Sequence, residues 1–303
     1  MSTRCRIPAW LIVTLFAALP TQLHAAEPSW SDPSRGEKPV PSLRLYVLDC
    51  GAIHVADTRR YELAPEEVAN PNLAVACFLV VHPKGNLMWD VGAVPDAEWT
   101  PAGAPQVHRL ELPDGQSRDI DLTLPLGAQL EEIGYPPSSI HFLALSHYHY
   151  DHTANANAFP NATWLVRAVE RDAMFAPVPP GTTRPSTYAE LHYAKTTLIR
   201  TNDYDVFGDG SVVIKSAPGH TPGHQMLYLR LAKTGPILLS GDLYHYPEER
   251  TLDRFPVFEF DKAQTRRTRV EIERFLAATG TRLWIQHDFV GNARLRKAPA
   301  FYD

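Results

Sequence analysis

The run Ser146-His147-Tyr148-His149-Tyr150-Asp151-His152 constrains this chain more than any other feature. It sets three histidines and an aspartate within six residues, directly after the apolar stretch Ile140 to Leu145. Imidazole and carboxylate are the donors that hold zinc, or another first-row divalent ion, without competing thiol chemistry. Their place after an apolar strand puts the donors at a rim, within reach of a substrate.

The remaining composition supports an ordinary globular protein. The 303 residues are 44% hydrophobic and 21% charged, with no heptad run, repeat or low-complexity tract. The N-terminus departs from this profile. Arg4 and Arg6 precede the apolar run Ile7 to Leu19, and Leu23-His24-Ala25-Ala26 offers small residues for cleavage. The pattern reads as a secretory signal peptide over 1–26, and the apolar run is shorter than the roughly 20 residues of a spanning helix. The expected location is periplasmic or secreted, with no stable membrane insertion once the signal is removed. Loss of Arg4 and Arg6 from the 29 basic residues, with no acid lost, would leave 27 against 34, a charge of -7. Without a block of Lys and Arg, nucleic acid is excluded as a partner. Cys5 lies in the signal, while Cys50 and Cys77 fall on expected strands. They pair in an oxidising compartment or remain buried free thiols, and the sequence leaves both open.

Along the chain, 27–42 is a polar, Pro-rich lead-in. Strands are expected at Leu43–Leu48, Val75–His82 and Leu87–Val91, the last two joined by the turn Pro83-Lys84-Gly85-Asn86. Residues 93–122 read as a long surface loop. Leu126–Ile133 has helical spacing and ends at Gly134. Further strands are expected at Phe142–Leu145, Ala162–Val166, Val212–Ser216, Met226–Leu231, Ile237–Ser240 and Leu283–Ile285, with a Pro-rich loop at 174–196. Ala263–Ala278 reads as a helix with Val270, Ile272 and Phe275 on its apolar face. Strand runs on both sides of two helices predict two packed sheets with helices outside, an α/β architecture.

Three later segments repeat one signature, in which a strand ends and a His or Asp follows. Pro218-Gly219-His220-Thr221-Pro222-Gly223-His224, Ser240-Gly241-Asp242 and Gln286-His287-Asp288 each stand at such a tip. Tips at one sheet edge bring donors distant in sequence into one site. The four ordered motifs, with Asp90-Val91-Gly92 as an early turn, resemble the metallo-β-lactamase superfamily across 27–303. The resemblance implies the αββα sandwich of that family and two divalent metal ions, zinc being expected. His147, His149 and His220 would hold one. Asp151, His152 and His287 would hold the other, and Asp242 would bridge both. It further implies a bridging hydroxide as nucleophile, with Asp151 and Asp242 in the catalytic centre and Asp242 able to shuttle a proton. His224 is expected in the turn or behind the ligands, and Asp90 as a hydrogen-bonder behind them. Ordinary structural roles suit His54, His82, His108, His141 and His192.

Within the superfamily, a carboxylate at the Asp242 position is usual in thioesterases, lactonases, phosphodiesterases and mono-iron sulfur dioxygenases, and generally missing from zinc β-lactamases. The segments Leu45 to Gly51, Ala76 to Gly85 and His147 to Phe159 resemble the N-acyl homoserine lactonases. The expectation is therefore an exported hydrolase that opens lactone rings. Alternatives are a thioesterase of glyoxalase II type, a β-lactamase on the same fold, or a non-catalytic binding protein. The better-known lactonases carry a Tyr three residues after the bridging Asp. Here that position is His245, with Tyr244 before it, and alternation along an extended segment sends the two to opposite sides. His245 is expected to face the metals, or Tyr244 if the backbone bulges. A small-molecule pocket is expected to draw on the segments 93–122 and 174–196, with Tyr148, Tyr150, Phe175, Tyr188 and Phe258 as candidates to line it, and dimerisation is a family expectation.

Overall fold

Successive side chains of each central strand enter two different apolar layers, and this alternation builds the molecule. In β1 (Arg44–Ile53) Leu45 and Val47 face one layer while Tyr46 and Leu48 face another. In β2 (Leu73–His82) Ala76, Phe78 and Val80 join the first, while Val75, Cys77, Leu79 and Val81 join the second. All ten residues of β2 are buried, as a strand covered on both faces requires. The computed structural model describes Met1 and residues 43–100, 106–113 and 115–303. The signal-peptide reading, apart from Met1, and the lead-in to residue 42 lie outside the described residues.

After β2 come β3 (Gly85–Trp89), β4 (Gln106–Glu111), β5 (Ser117–Leu122), α1 (Leu126–Glu132), β6 (Phe142–Ala144) and α2 (Tyr150–Thr153). Then follow β7 (Thr163–Arg167), α3 (Ala168–Met174) and β8 (Thr196–Ile199). The second half holds β9 (Asp203–Asp205), β10 (Val212–Ser216), β11 (Gln225–Leu231), β12 (Gly235–Leu239), α4 (Pro247–Leu252), α5 (Lys262–Thr279), β13 (Arg282–Trp284), α6 (Phe289–Ala293) and β14 (Phe301–Tyr302). The first sheet runs β4-β5-β1-β2-β3-β6-β7-β8, with β14 also on β1; the second runs β13-β12-β11-β10-β9. Both are mixed: β3, β6, β7 and β8 pair in parallel, as do β12 and β13.

Between the sheets lie Leu45, Phe78, Val80, Leu87 and Trp89 from one side and Val212, Ile214, Leu227, Leu229, Ile237 and Leu239 from the other. The outer face of the first sheet packs on Leu126 and Leu130 of α1. That of the second packs Val213, Met226, Tyr228 and Leu238 on Ile272, Phe275 and Leu276 of α5. Helix α5 starts where the Asp261 side chain accepts from Gln264 N and stops at Gly280, in left-handed conformation.

Two expectations need correction. The segment 93–122 is not a plain loop: β4 and β5 form an antiparallel hairpin that joins the sheet through β1. Its apolar signal is weak because, among the described side chains of the two strands, only Leu110, Ile120 and Leu122 are buried. Val270 is not on the buried face of α5 but 46% exposed. It stands two residues from Ile272, about 200° around the helix.

Cys50, at the irregularity of β1 between Asp49 and Ala52, is disulfide-bonded to Cys77 on β2. The bond lies against the turn that carries Asp90, since a Cβ on Gly92 would touch both sulfurs. A closed loop of this length is worth about 3–4 kcal/mol in the chain-entropy account. Replacing both cysteines by Ala is expected to lower unfolding free energy by about 2–4 kcal/mol in urea titrations. A change below about 0.5 kcal/mol would refute that role.

Candidate metal centre

Four strand ends deliver the donors. β6 leads into His147 and His149, and α2 adds Asp151 and His152. The turn between β10 and β11 carries His220, the residues after β12 carry Asp242, and those after β13 carry His287. All seven are buried. Donor atoms of His147, His149, His220 and Asp242 lie within 4.8 Å of one another, and so do those of Asp151, His152 and His287. Asp242 stands between the groups. Its Oδ2 is 3.4 Å from both His147 Nε2 and His220 Nε2, while its Oδ1 is 3.1 Å from His152 Nε2 and 3.0 Å from His287 Nε2.

The tight turns have local causes. Gly219 (φ +135°) brings the backbone so close to α5 that a Cβ would collide with Thr265. Gly241 (φ +49°) passes against the His224 ring in the same way. Any side chain at either position would push a donor-bearing loop outward.

The remote ring nitrogens are held. His152 Nδ1 donates to Asp90 (2.9 Å), His220 Nδ1 to Glu259 (2.9 Å) and His287 Nδ1 to the Ala74 carbonyl (2.7 Å). His147 Nδ1 shares a hydrogen bond with Ser146 Oγ at 3.0 Å. Such partners fix tautomer and ring orientation at metal sites. Asp90, itself at positive φ, also accepts from Ser146 N and from Gln286 Nε2. Gln286 Oε1 in turn accepts from Gly241 N and Trp89 Nε1. His224 is turned away from the cluster: its Nδ1 donates to Ala217 O and its Nε2 accepts from Asp242 N at 2.9 Å. It anchors the backbone of Asp242.

The cluster fits cations better than it fits itself. His149 Nδ1 faces His147 Nε2 at 2.8 Å and His220 Nε2 at 3.0 Å, and His152 Nε2 faces His287 Nε2 at 3.2 Å. Lone pairs aimed at each other this closely need a proton or a metal between them. Asp242 Oδ1 is buried and, despite its near neighbours, in no hydrogen bond among the described residues. Burial holds His147 and His149 well below the ordinary imidazole value, so both are neutral and ligand-competent. Burial opposes charge on His152 and His220 as well, but Asp242 and Asp90 beside the first and Glu259 beside the second outweigh it and raise both. Burial would raise Asp242, yet the imidazoles of His287, His152, His147 and His245 hold it well below the usual carboxylate range.

His245 faces the centre, with Nε2 at 3.2 Å from Asp242 Oδ2. Its Nδ1 pairs with Glu249 at 3.2 Å, and Arg269 clamps the other oxygen of Glu249 at 2.8 Å. Tyr244 does not face the centre: its hydroxyl donates to Glu273, and its ring lies under Arg269 in the core against α5. The two side chains part as expected, but on a turn and bends rather than on extended backbone, with Leu243 N donating to Ser240 O.

A cavity of about 190 Å³ opens on His149, Asp151, Asp242 and His245. Of the five aromatic candidates, Tyr150 and Phe258 line it. Tyr148 is buried and donates its N–H to Glu170, and Phe175 packs on Tyr188, whose hydroxyl donates to Met174 O. Leu112 and Arg118 wall it from the 93–122 segment and Thr182 from the 174–196 loop, as expected, whereas Ile53, Arg60, Tyr61 and Leu73 complete the walls without having been marked by the sequence. His54 borders it too, paired with Asp121, while the other four ordinary histidines stay away from the donors. Glu170 also escaped notice. Its carboxylate accepts from Tyr148 N, Thr221 Oγ1 and Gly223 N and so ties the His147 segment to the His220 turn; burial raises it to about 7.

The metallo-beta-lactamase superfamily profile matches residues 70–279. The chain belongs to that superfamily. With its buried imidazole and carboxylate donors, this member of the metallo-beta-lactamases is a metal-dependent hydrolase. It is similar to the N-acyl homoserine lactonases AttM of Rhizobium radiobacter (30% identical over 274 residues, 86% of this chain and 98% of the relative) and of Azorhizobium caulinodans (28% over 269 residues, 86% and 99%). The fold is shared with a B. thuringiensis AiiA mutant bearing N-decanoyl-L-homoserine at its active site (TM-score 0.71, 22% identity, 85% of this chain and 98% of that one). It is shared too with the dizinc quorum-quenching lactonase AidC (TM-score 0.62, 18% identity, 88% and 96%).

Two outcomes follow from this geometry. Glu170→Ala is expected to lower stability by about 2–4 kcal/mol in urea titrations and to reduce bound metal, because three donors lose one buried acceptor. Unchanged stability and metal content would contradict the tie. Metal uptake should release protons and weaken as pH falls, since His152 and His220 protonate in competition with the cation. A pH-stat titration reads the released protons, and uptake without release would count against these ligands.

Proposed function

We propose that the protein hydrolyses lactone rings, N-acyl homoserine lactones above all, with two zinc ions. His147, His149 and His220 would hold one, Asp151, His152 and His287 the other, and Asp242 would serve both. The observation that carries this reading is the position of Asp242, one oxygen toward each set of imidazoles, at the floor of a cavity open to a small molecule. Alignment with lactonases over nearly their whole length supports the substrate class.

Divalent cations held there would supply Lewis acidity toward a carbonyl oxygen and lower the pKa of bound water from about 15.7 to about 7. The chain's own residues do the rest. Tyr61, Phe258, Leu73 and Leu112 exclude water from the walls. His224 and Gln286 fix Asp242 and Gly241 from behind. His245, its Nδ1 held by Glu249, presents Nε2 where the better-known lactonases carry a Tyr, and positions the lactone. Asp242 holds or passes the proton that the ring oxygen needs on leaving.

Export belongs to the same proposal. The basic and apolar N-terminus and the Cys50–Cys77 disulfide both suit an oxidising compartment. Among the described residues no helix is long and apolar enough to cross a membrane. An N-terminus starting near residue 26 or 27 in the exported fraction is the mass-spectrometric expectation, and an intact Met1 there would oppose it.

The deciding experiment compares a lactone, a hydroxyacyl thioester and a lactam on purified protein of measured metal content. Lactone hydrolysis should dominate, vanish with a chelator and return with zinc. Asp242→Ala should lower lactone kcat/KM at least about 100-fold, since even groups behind metal ligands are worth 10–100-fold. Two bound metals with no turnover of any lactone would end this reading.

A further inference from the structure

Two arginines line the cavity beside the metal donors, and no step above uses them. Arg60 comes from the turn after β1, Arg118 from β5 of the hairpin. Both donate to one neutral acceptor, Gln116 Oε1, at 2.6 Å and 2.7 Å. Arg118 also donates to Ser117 O at 2.8 Å and lines the cavity together with Tyr150, whose neighbour in the chain is Asp151. The Arg60 guanidinium lies over the Phe258 ring, 5.3 Å from its centre.

Neither guanidinium pairs with a carboxylate among the described residues, and the acids near them are engaged. Asp57 pairs with Arg59, Asp121 with His54, and Asp151 and Asp242 with the histidine cluster. A guanidinium carries five N–H donors, and one amide oxygen cannot satisfy two of them. Both side chains are half-buried. Spare, partly desolvated cationic donors of this kind favour an oxygen acceptor, most of all a charged or strongly polar one.

We propose that Arg60 and Arg118 form a subsite for an acceptor oxygen on the acyl arm of the substrate, a keto oxygen or a terminal carboxylate. This rests on the lactone reading. With the scissile carbonyl at the metal donors, Tyr150 and Phe258 lead the acyl arm from that end of the cavity to the arginines. The cavity, about 190 Å³, is smaller than the roughly 300–1,000 Å³ usual for ligand pockets, so the arm is short. The protein then selects short, oxygen-bearing acyl groups over plain alkanoyl chains.

The test is calorimetric binding of ring-opened N-hexanoyl-, N-(3-oxohexanoyl)- and N-succinyl-homoserine to the zinc-loaded protein, alongside kcat/KM for the closed lactones. Wild type should favour at least one oxygen-bearing arm by about tenfold or more, the worth of one hydrogen bond to a charged group. A 3-oxo preference identifies a keto acceptor; a succinyl preference that fades with salt identifies an anion. In the Arg60→Met/Arg118→Met double variant the preference should collapse to within about twofold, and Arg118→Lys should keep part of it. Equal affinities in wild type, or a preference that survives the double variant, would overturn the subsite. Lactones opened without such preference would overturn the subsite alone. Binding with the preference but no ring opening would overturn the lactone reading alone.

Discussion

The structure is organised around one costly arrangement: a carboxylate and six further donors packed out of water at the meeting of four strand ends. Imidazole lone pairs facing each other at 2.8–3.2 Å, and a buried carboxylate oxygen without a hydrogen bond, are not stable on their own terms. Positive charge resolves both. Much of the surrounding sequence keeps these groups from relaxing outward. Asp90 sits at positive φ to reach Ser146, His152 and Gln286 together, and Gln286 joins that contact to the Asp242 loop.

The two halves of the fold are fastened at the same place. Glu170, at the start of α3, accepts from both the His147 segment and the His220 turn. His287 reaches back to Ala74 on β2 through its ring and its backbone carbonyl. The disulfide stiffens β1 against β2 beneath the Asp90 turn. The rigidity expected of a preorganised centre thus comes from tertiary ties, since the donor-bearing segments are loops and a single short helical turn.

Chemistry at the centre and selection at the wall come from different parts of the chain. The donors follow the strands of the sandwich, whereas the cavity walls come from the turn after β1, the β4–β5 hairpin and the segment around Phe258. The superfamily relation extends over most of the chain, and in this member the cavity is bordered by His245, Arg60 and Arg118. Loops on a fixed scaffold can carry recognition without disturbing the core.

The clustered run from His147 to His152 was legible because its donors are neighbours in sequence, and the Gly-His and Gly-Asp tips because each follows a strongly apolar strand. The strands β2, β10 and β11 were legible for the same reason. The β4–β5 hairpin was not, because an edge hairpin buries few side chains, and Val270 misled because apolarity does not reveal which side of a helix it occupies. Glu259, Glu170 and Tyr61 gave no local signal. Glu249 gave one, an acid four residues after His245. By itself the sequence determined which residues offer donor atoms and where strands end, since both follow from residue type and periodicity. Only the tertiary structure decided that Asp242 stands between two sets of imidazoles, that Tyr244 turns away, that Cys50 meets Cys77, and which side chains wall the cavity. Those outcomes depend on distances between segments up to about two hundred residues apart, and such distances are set by how the sheets pack rather than by any local pattern.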